Sequence, residues 1–103
     1  MPLLIAGEPR LIDESAVIAL RAVEGGDSLA QPREVVKRAL AERPVIHLDL
    51  GAVGHIDSLQ LSQLMMCHTT VANAGGRLIL THVHDAVRAV LTSMNLHRIL
   101  VIE

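Results

Sequence analysis

Two adjacent residues of this 103-residue chain, Asp57 and Ser58, have the types and the setting for a chemical switch. The stretch 48–61, Leu-Asp-Leu-Gly-Ala-Val-Gly-His-Ile-Asp-Ser-Leu-Gln-Leu, reads as the end of an apolar strand, a glycine-containing loop and the first turn of an amphipathic helix. A helix start exposes unpaired backbone N–H groups and a partial positive charge, so a serine there is a natural seat for a phosphate. Asp57 reads as the N-cap, and with Gln60 three residues later it makes an Asp-x-x-Gln form of the capping box. Alternatively, Asp57 and Ser58 simply start a helix and together contribute about 1 kcal/mol.

The helix that follows carries a second signal. At about 100° per residue from Leu61, Leu59 lies about 160° round the helix, Met66 about 140°, Thr70 about 180° and Gln63 about 200°. These residues are therefore expected opposite the core-facing stripe. Two large apolar side chains on an outward face, one beside the serine, fit a docking surface for a foreign partner or a homodimer. Scattered exposed apolar residues are also common on ordinary surfaces.

Other chemistries find less support. The chain has six histidines, His47, His55, His68, His82, His84 and His97. His82 and His84, followed by Asp85, have a ligand-like look, but no histidine pair has helical i, i+4 spacing and no thiolate joins them. A surface strand end is expected there, and no metal site. His55, next to Ile56, is a candidate partner contact or a plain loop residue. His68 is expected partly buried at the inner edge of its helix. Cys67, the single cysteine, excludes an internal disulfide and is expected in mid-helix as a small buried hydrophobe. Ser58 lacks the G-x-S-x-G elbow of a hydrolase. Gly51-Ala52-Val53-Gly54 has neither the third glycine nor the lysine of a nucleotide-binding loop. Neither enzymatic activity nor a cofactor is expected.

Composition narrows the partner class. A net charge of −2 argues against the basic footprint of a nucleic-acid binder. Phe, Tyr and Trp are absent, so bases have no aromatic platform and the core must be aliphatic. No run of about 18 apolar residues suggests a membrane span, and Met1–Ala6 lacks the basic lead-in of a signal peptide. A cytoplasmic chain is expected, forming a single domain over residues 1–103.

The elements that must position Ser58 alternate. Leu11-Ile12 and Ala16 to Val23 read as two short strands joined at Asp13-Glu14-Ser15, with residues 3–6 a weak extension of the first beyond Pro9. Pro32 suits the first turn of a helix running to about Glu42, with Val35, Val36, Ala39 and Leu40 on its inner side. After Pro44 comes a strand, Val45–Leu50, alternating Val45/His47/Asp49 against Ile46/Leu48/Leu50. From Ser58 to about Ala74 the period becomes helical, with Leu61, Leu64, Met65, Val71 and Ala72 on one face. Gly75-Gly76 closes that helix. Arg77–Thr81 is a strand, Asp85 a candidate cap for a third helix closed by Asn95, and Ile99–Ile102 a last strand. Strand–helix units in succession imply right-handed crossovers. The expected fold is α/β, a mixed sheet of about five strands with three main helices.

The chain resembles a STAS domain, in particular the bacterial anti-sigma factor antagonists. The likeness rests on Ile46-His47-Leu48-Asp49-Leu50, on Ile56-Asp57-Ser58 with Leu61, on Gly75-Gly76-Arg77-Leu78-Ile79-Leu80, and on the ending Val87–Leu91 through Leu96–Leu100. It spans roughly residues 15–102. Asp27, five residues before Pro32, stands where the family's G-E-x-D loop has its aspartate. The resemblance implies a STAS-like fold and a phosphoacceptor at Ser58. It also implies a partner: an anti-sigma factor with a histidine-kinase-like serine kinase domain, which the unphosphorylated protein binds to free a sigma factor. Asp27, His55, Asp57, Ser58, Leu59, Gln60, Gln63 and Met66 are the expected partner contacts. Where the family has [ST]-Gly, this chain has Leu59-Gln60, which points alternatively to a constitutive STAS scaffold or subunit that is not phosphorylated.

Overall fold

In the computed structural model, which describes residues 1–24 and 31–103, strands and helices alternate along the chain. The order is β1 (Leu3–Ile5), β2 (Arg10–Ile12), β3 (Ser15–Ala22), α1 (Gln31–Leu40), β4 (Val45–Ala52), α2 (Ser58–Asn73), β5 (Arg77–Thr81), α3 (Asp85–Ser93) and β6 (Val101–Ile102), with a short 3-10 turn at Leu96–Arg98. Period-2 patterning makes the central strands. In β4, Ile46, Leu48 and Leu50 are fully buried while Val45, His47 and Asp49 are half-buried, and β3 does the same with Ala16, Ile18 and Leu20. The register sets Ile18 beside Leu48 and Leu48 beside Leu80, so apolar rows cross the sheet.

Strands β3, β4, β5 and β6 are parallel neighbours in that order, and β1 and β2 both pair antiparallel with β3. Each parallel crossover moves one place in the same direction, and right-handed crossovers then bring all three helices to one face. Val36 and Ala39 of α1, Leu61, Leu64, Cys67 and Val71 of α2, and Val87 and Leu91 of α3 join the strand rows in one aliphatic core.

Several details differ from the expectations. Residues 3–5 form a strand of their own, because the chain bulges away from β3 between Ile5 and Arg10, through Gly7 (φ 79°) and Pro9, before β2 rejoins β3 in the same direction. Strand β4 continues through Gly51 and Ala52. His84, not Asp85, is the cap residue of α3, and Asp85 is its first helical residue, where a carboxylate suits the helix dipole. Ala72 is exposed, since the buried face of α2 runs through Cys67 and Val71. Residues 96–98 tighten into the 3-10 turn, so the last strand shortens to Val101–Ile102.

Both expected left-handed closures are present, Gly75 at φ 73° and Asn95 at φ 60°. Gly76 has a different reason to be glycine: a Cβ there would stand 2.8 Å from the Pro44 carbonyl oxygen and 2.9 Å from Leu40 Cδ2.

Cys67 is fully buried, and burial pushes its thiol up to about 12 against a smaller opposing effect of Arg33. The thiolate is the nucleophile, so iodoacetamide at pH 8 is expected to leave Cys67 unmodified in the folded protein and to alkylate it once denatured. Intact-mass measurement checks this; equal rates in both states would contradict it.

Candidate functional site

Strand β4 delivers Ser58 through a loop anchored at several points. Asp49 Oδ1 accepts the Gly51 backbone N–H at 2.8 Å, and His82 Nδ1 lies 3.3 Å from the same oxygen. His84 Nε2 donates to the Gly51 carbonyl at 2.7 Å; a carbonyl only accepts, so this nitrogen carries the proton. Val53 is buried and Ile56 packs on the core, which leaves His55, Asp57 and Ser58 exposed.

The capping box is complete. Asp57 has extended backbone angles (φ −103°, ψ 177°), its Oδ1 accepts the Gln60 N–H at 2.8 Å, and Gln60 Oε1 accepts the Asp57 N–H at 3.0 Å. Ser58 is therefore the first residue of a 16-residue helix, exposed where the first-turn N–H groups and the dipole favour an anion. Leu59, beside it, is 37% exposed and Met66 is half-buried. One turn beyond Ser58 begins a shallow groove of about 510 Å³ along α1 and α2, whose walls include Arg33, Ser62, Met65, Met66 and Thr69.

Two expected surface contacts are corrected. Gln60 and Gln63 are buried, at 4% and 2% exposure. Gln63 Oε1 accepts the Leu3 N–H at 2.7 Å and its Nε2 donates to the Leu3 carbonyl at 3.0 Å. Gln60 Nε2 donates to the Met1 carbonyl at 2.7 Å. Strand β1 lies over this side of α2, so neither amide faces a partner. Gln31 at the start of α1 adds a third tie, accepting the Ile5 N–H at 3.0 Å. Edge backbone that would otherwise be unpaired is thus blocked by glutamine side chains. A signal for this existed: Gln60, Gln63, Cys67 and Val71 recur at the three- and four-residue steps of one helix face, but a stripe counted from apolar residues alone skips the glutamines. Arg33, on the groove, had no such signal.

Asp27 lies outside the described residues. Ser58, Asp57, Leu59 and His55 are together at the start of α2, with Met66 two turns along it. His82 and His84 follow β5 on the surface, and His82 takes a left-handed φ of 54°. Among the described residues, no group of three or more His, Cys, Asp and Glu side chains is placed to hold a metal ion, and no helix is long and apolar enough to cross a membrane.

Residues 9–102 match the family described as "Mlab, STAS domain". The chain belongs to the STAS family. No curated protein matches it in sequence. Among solved structures, this STAS chain is similar to an S58E variant of RsbS from Moorella thermoacetica, with TM-score 0.78 and 20% identity over 92% of this chain and 85% of that one. It is also similar to TM1081 of Thermotoga maritima, described as a candidate anti-sigma factor antagonist, with TM-score 0.69 and 21% identity over 92% and 83% of the two chains. At these identities the likeness shows a shared fold: three helices on a mixed sheet.

Proposed function

We propose that this STAS chain is a regulatory protein-binding module of the anti-sigma factor antagonist kind. It binds an anti-sigma factor that carries a histidine-kinase-like serine kinase domain, frees a sigma factor, and is switched off by phosphorylation at Ser58. The observation that carries this is an exposed serine at the first position of a fully capped helix, beside an exposed leucine and a groove bearing Arg33 and Met66. His55, Asp57, Ser58, Leu59 and Met66 make the contact surface, together with Asp27. The module acts in the cytoplasm, by binding and not by catalysis.

Phosphate on Ser58 adds about −1.5 to −2 charges to a surface that loses water on binding, and three strong acceptor oxygens. The helix dipole accommodates this charge in the free protein, while Asp57 opposes it. Release then follows from repulsion and from packing lost around Leu59, without refolding. Gln60, where the family has glycine, does not crowd this outer surface, because its side chain turns inward to the Met1 carbonyl.

The test combines phosphorylation and binding. Incubation with ATP and the partner kinase, followed by mass spectrometry, is expected to place one phosphate on Ser58. In titrations the Ser58→Ala chain should bind the partner and the Ser58→Glu chain should not. Leu59, in place of the family's second hydroxyl residue, favours the alternative of a constitutive STAS scaffold or subunit. No phosphate on Ser58 and equal affinity of the two variants would select it.

A further inference from the structure

We infer that strand β1 is a mechanically coupled part of the Ser58 switch, and that Gln60 is the positioning residue through which charge at Ser58 loosens this strand. The inference rests on Ser58 being the modified residue and adds what the modification does inside the chain.

Two contacts carry the connection: the Gln60 amide, and an exposed ion pair between the Met1 ammonium and Asp57 Oδ2 at 3.7 Å. Gln60 Oε1 accepts the Asp57 backbone N–H at 3.0 Å while its Nε2 donates to the Met1 carbonyl at 2.7 Å. The cap of α2 and the lead-in to β1 are thus held by the two ends of a single planar group, on a residue 59 positions from Met1. One turn later Gln63 grips Leu3 through both its N–H and its carbonyl. On its other edge β1 is held by β3: Ala6 donates to the Ala19 carbonyl at 2.8 Å and Val23 donates to the Pro2 carbonyl at 2.9 Å. The strand has only three residues, with Leu3 buried in the core, so each bond to its backbone is a sizeable share of what holds it. The glutamine ties hold the edge of β1 that faces away from β3.

A dianion on Ser58 acts on the first link. It stands beside the Asp57 carboxylate, which it repels, and it competes with Asp57 Oδ1 for the same first-turn N–H groups. As Asp57 is displaced from the cap, its backbone N–H moves away from Gln60 Oε1. The Gln60 amide loses the bond that orients it, and its hold on Met1 weakens. The core is untouched, because Leu61 and Leu64 keep their own packing. Linkage makes the effect reciprocal: a partner that prefers β1 seated also disfavours charge at Ser58.

Amide hydrogen exchange on the full chain, followed by NMR residue by residue, tests this. Rates at Leu3, Ala6 and Val23 are compared with core amides such as Leu48 and Leu80. In Ser58→Glu the three reporters are expected to exchange about 5-fold faster relative to the core, the size of losing one ordinary hydrogen bond. Ser58→Gln, matched in size without charge, should leave them unchanged. Gln60→Ala should give a comparable acceleration, and adding Ser58→Glu to it should add less than Ser58→Glu does alone. Unchanged reporters in Ser58→Glu, or an equal further increase in the Gln60→Ala background, would overturn the coupling. The measurement uses neither kinase nor partner, so its failure leaves the binding titration to stand by itself. Conversely, a Ser58 that never takes phosphate removes the regulatory reading without changing the exchange result.

Discussion

Replacing Gln63 with alanine is expected to destabilise the folded chain by about 3 kcal/mol, through loss of the two bonds that hold the Leu3 backbone. Leu3 is fully buried, so its N–H and carbonyl would face a small cavity in place of water. Each buried polar group left without a partner costs about 1–3 kcal/mol. The cost is therefore larger than that of an ordinary surface substitution, which stays within about 0.5 kcal/mol. For a domain of this size the melting temperature should fall by roughly 10–15 °C. Thermal unfolding of Gln63→Ala beside an exposed control such as Thr69→Ala checks it. A fall of only a degree or two would mean that β1 contributes little to the fold and that water replaces the amide without cost.

A loss of about 100-fold in partner affinity is expected for Ser58→Glu relative to Ser58→Ala, because a charge left unpaired in a closed interface costs about 2–5 kcal/mol. The size of that loss distinguishes a central position from a peripheral one, since charges at the rim of an interface mainly alter the rate of association and its salt dependence. Glutamate at the first position of α2 is compatible with folding, being favoured there by about 0.3–1 kcal/mol from the dipole and opposed by Asp57. The two variants should thus melt within a few degrees of each other while their affinities separate. Isothermal titration with the purified partner, at two salt concentrations, reads both quantities. Equal affinities would place Ser58 outside the interface and favour a scaffold that is never switched.

Most of what surrounds Ser58 depends on spacing along a few residues, and that much was open to inspection in the chain itself. The alternation Val45/His47/Asp49 against Ile46/Leu48/Leu50 has the period of a half-covered strand, and it is one. Asp57 and Gln60 are three residues apart, the separation at which a cap and the third helical residue can bond to each other's backbone, and they do. Gly75 and Asn95 stand where helices must stop, and both take left-handed angles. Such features follow from local sterics and backbone hydrogen bonding, which the neighbouring residues decide among themselves. At Asp85 the local signal was ambiguous, since a carboxylate suits both a cap and a first turn, and the boundary fell one residue from the expected place.

The fate of Gln60 and Gln63 was decided at another level. Helical geometry placed Gln63 opposite the apolar stripe of α2, and polarity suggested that it faces water. Both glutamines are buried because strand β1 arrives there and presents backbone groups that need partners, across sequence separations of 59 and 60 residues. Whether an amide is buried depends on whether something else supplies its hydrogen bonds, and no pattern within α2 contains that information. The residues themselves made Ser58 the tip of a capped helix. Only the folded arrangement turned its neighbours into the fastenings of a distant strand.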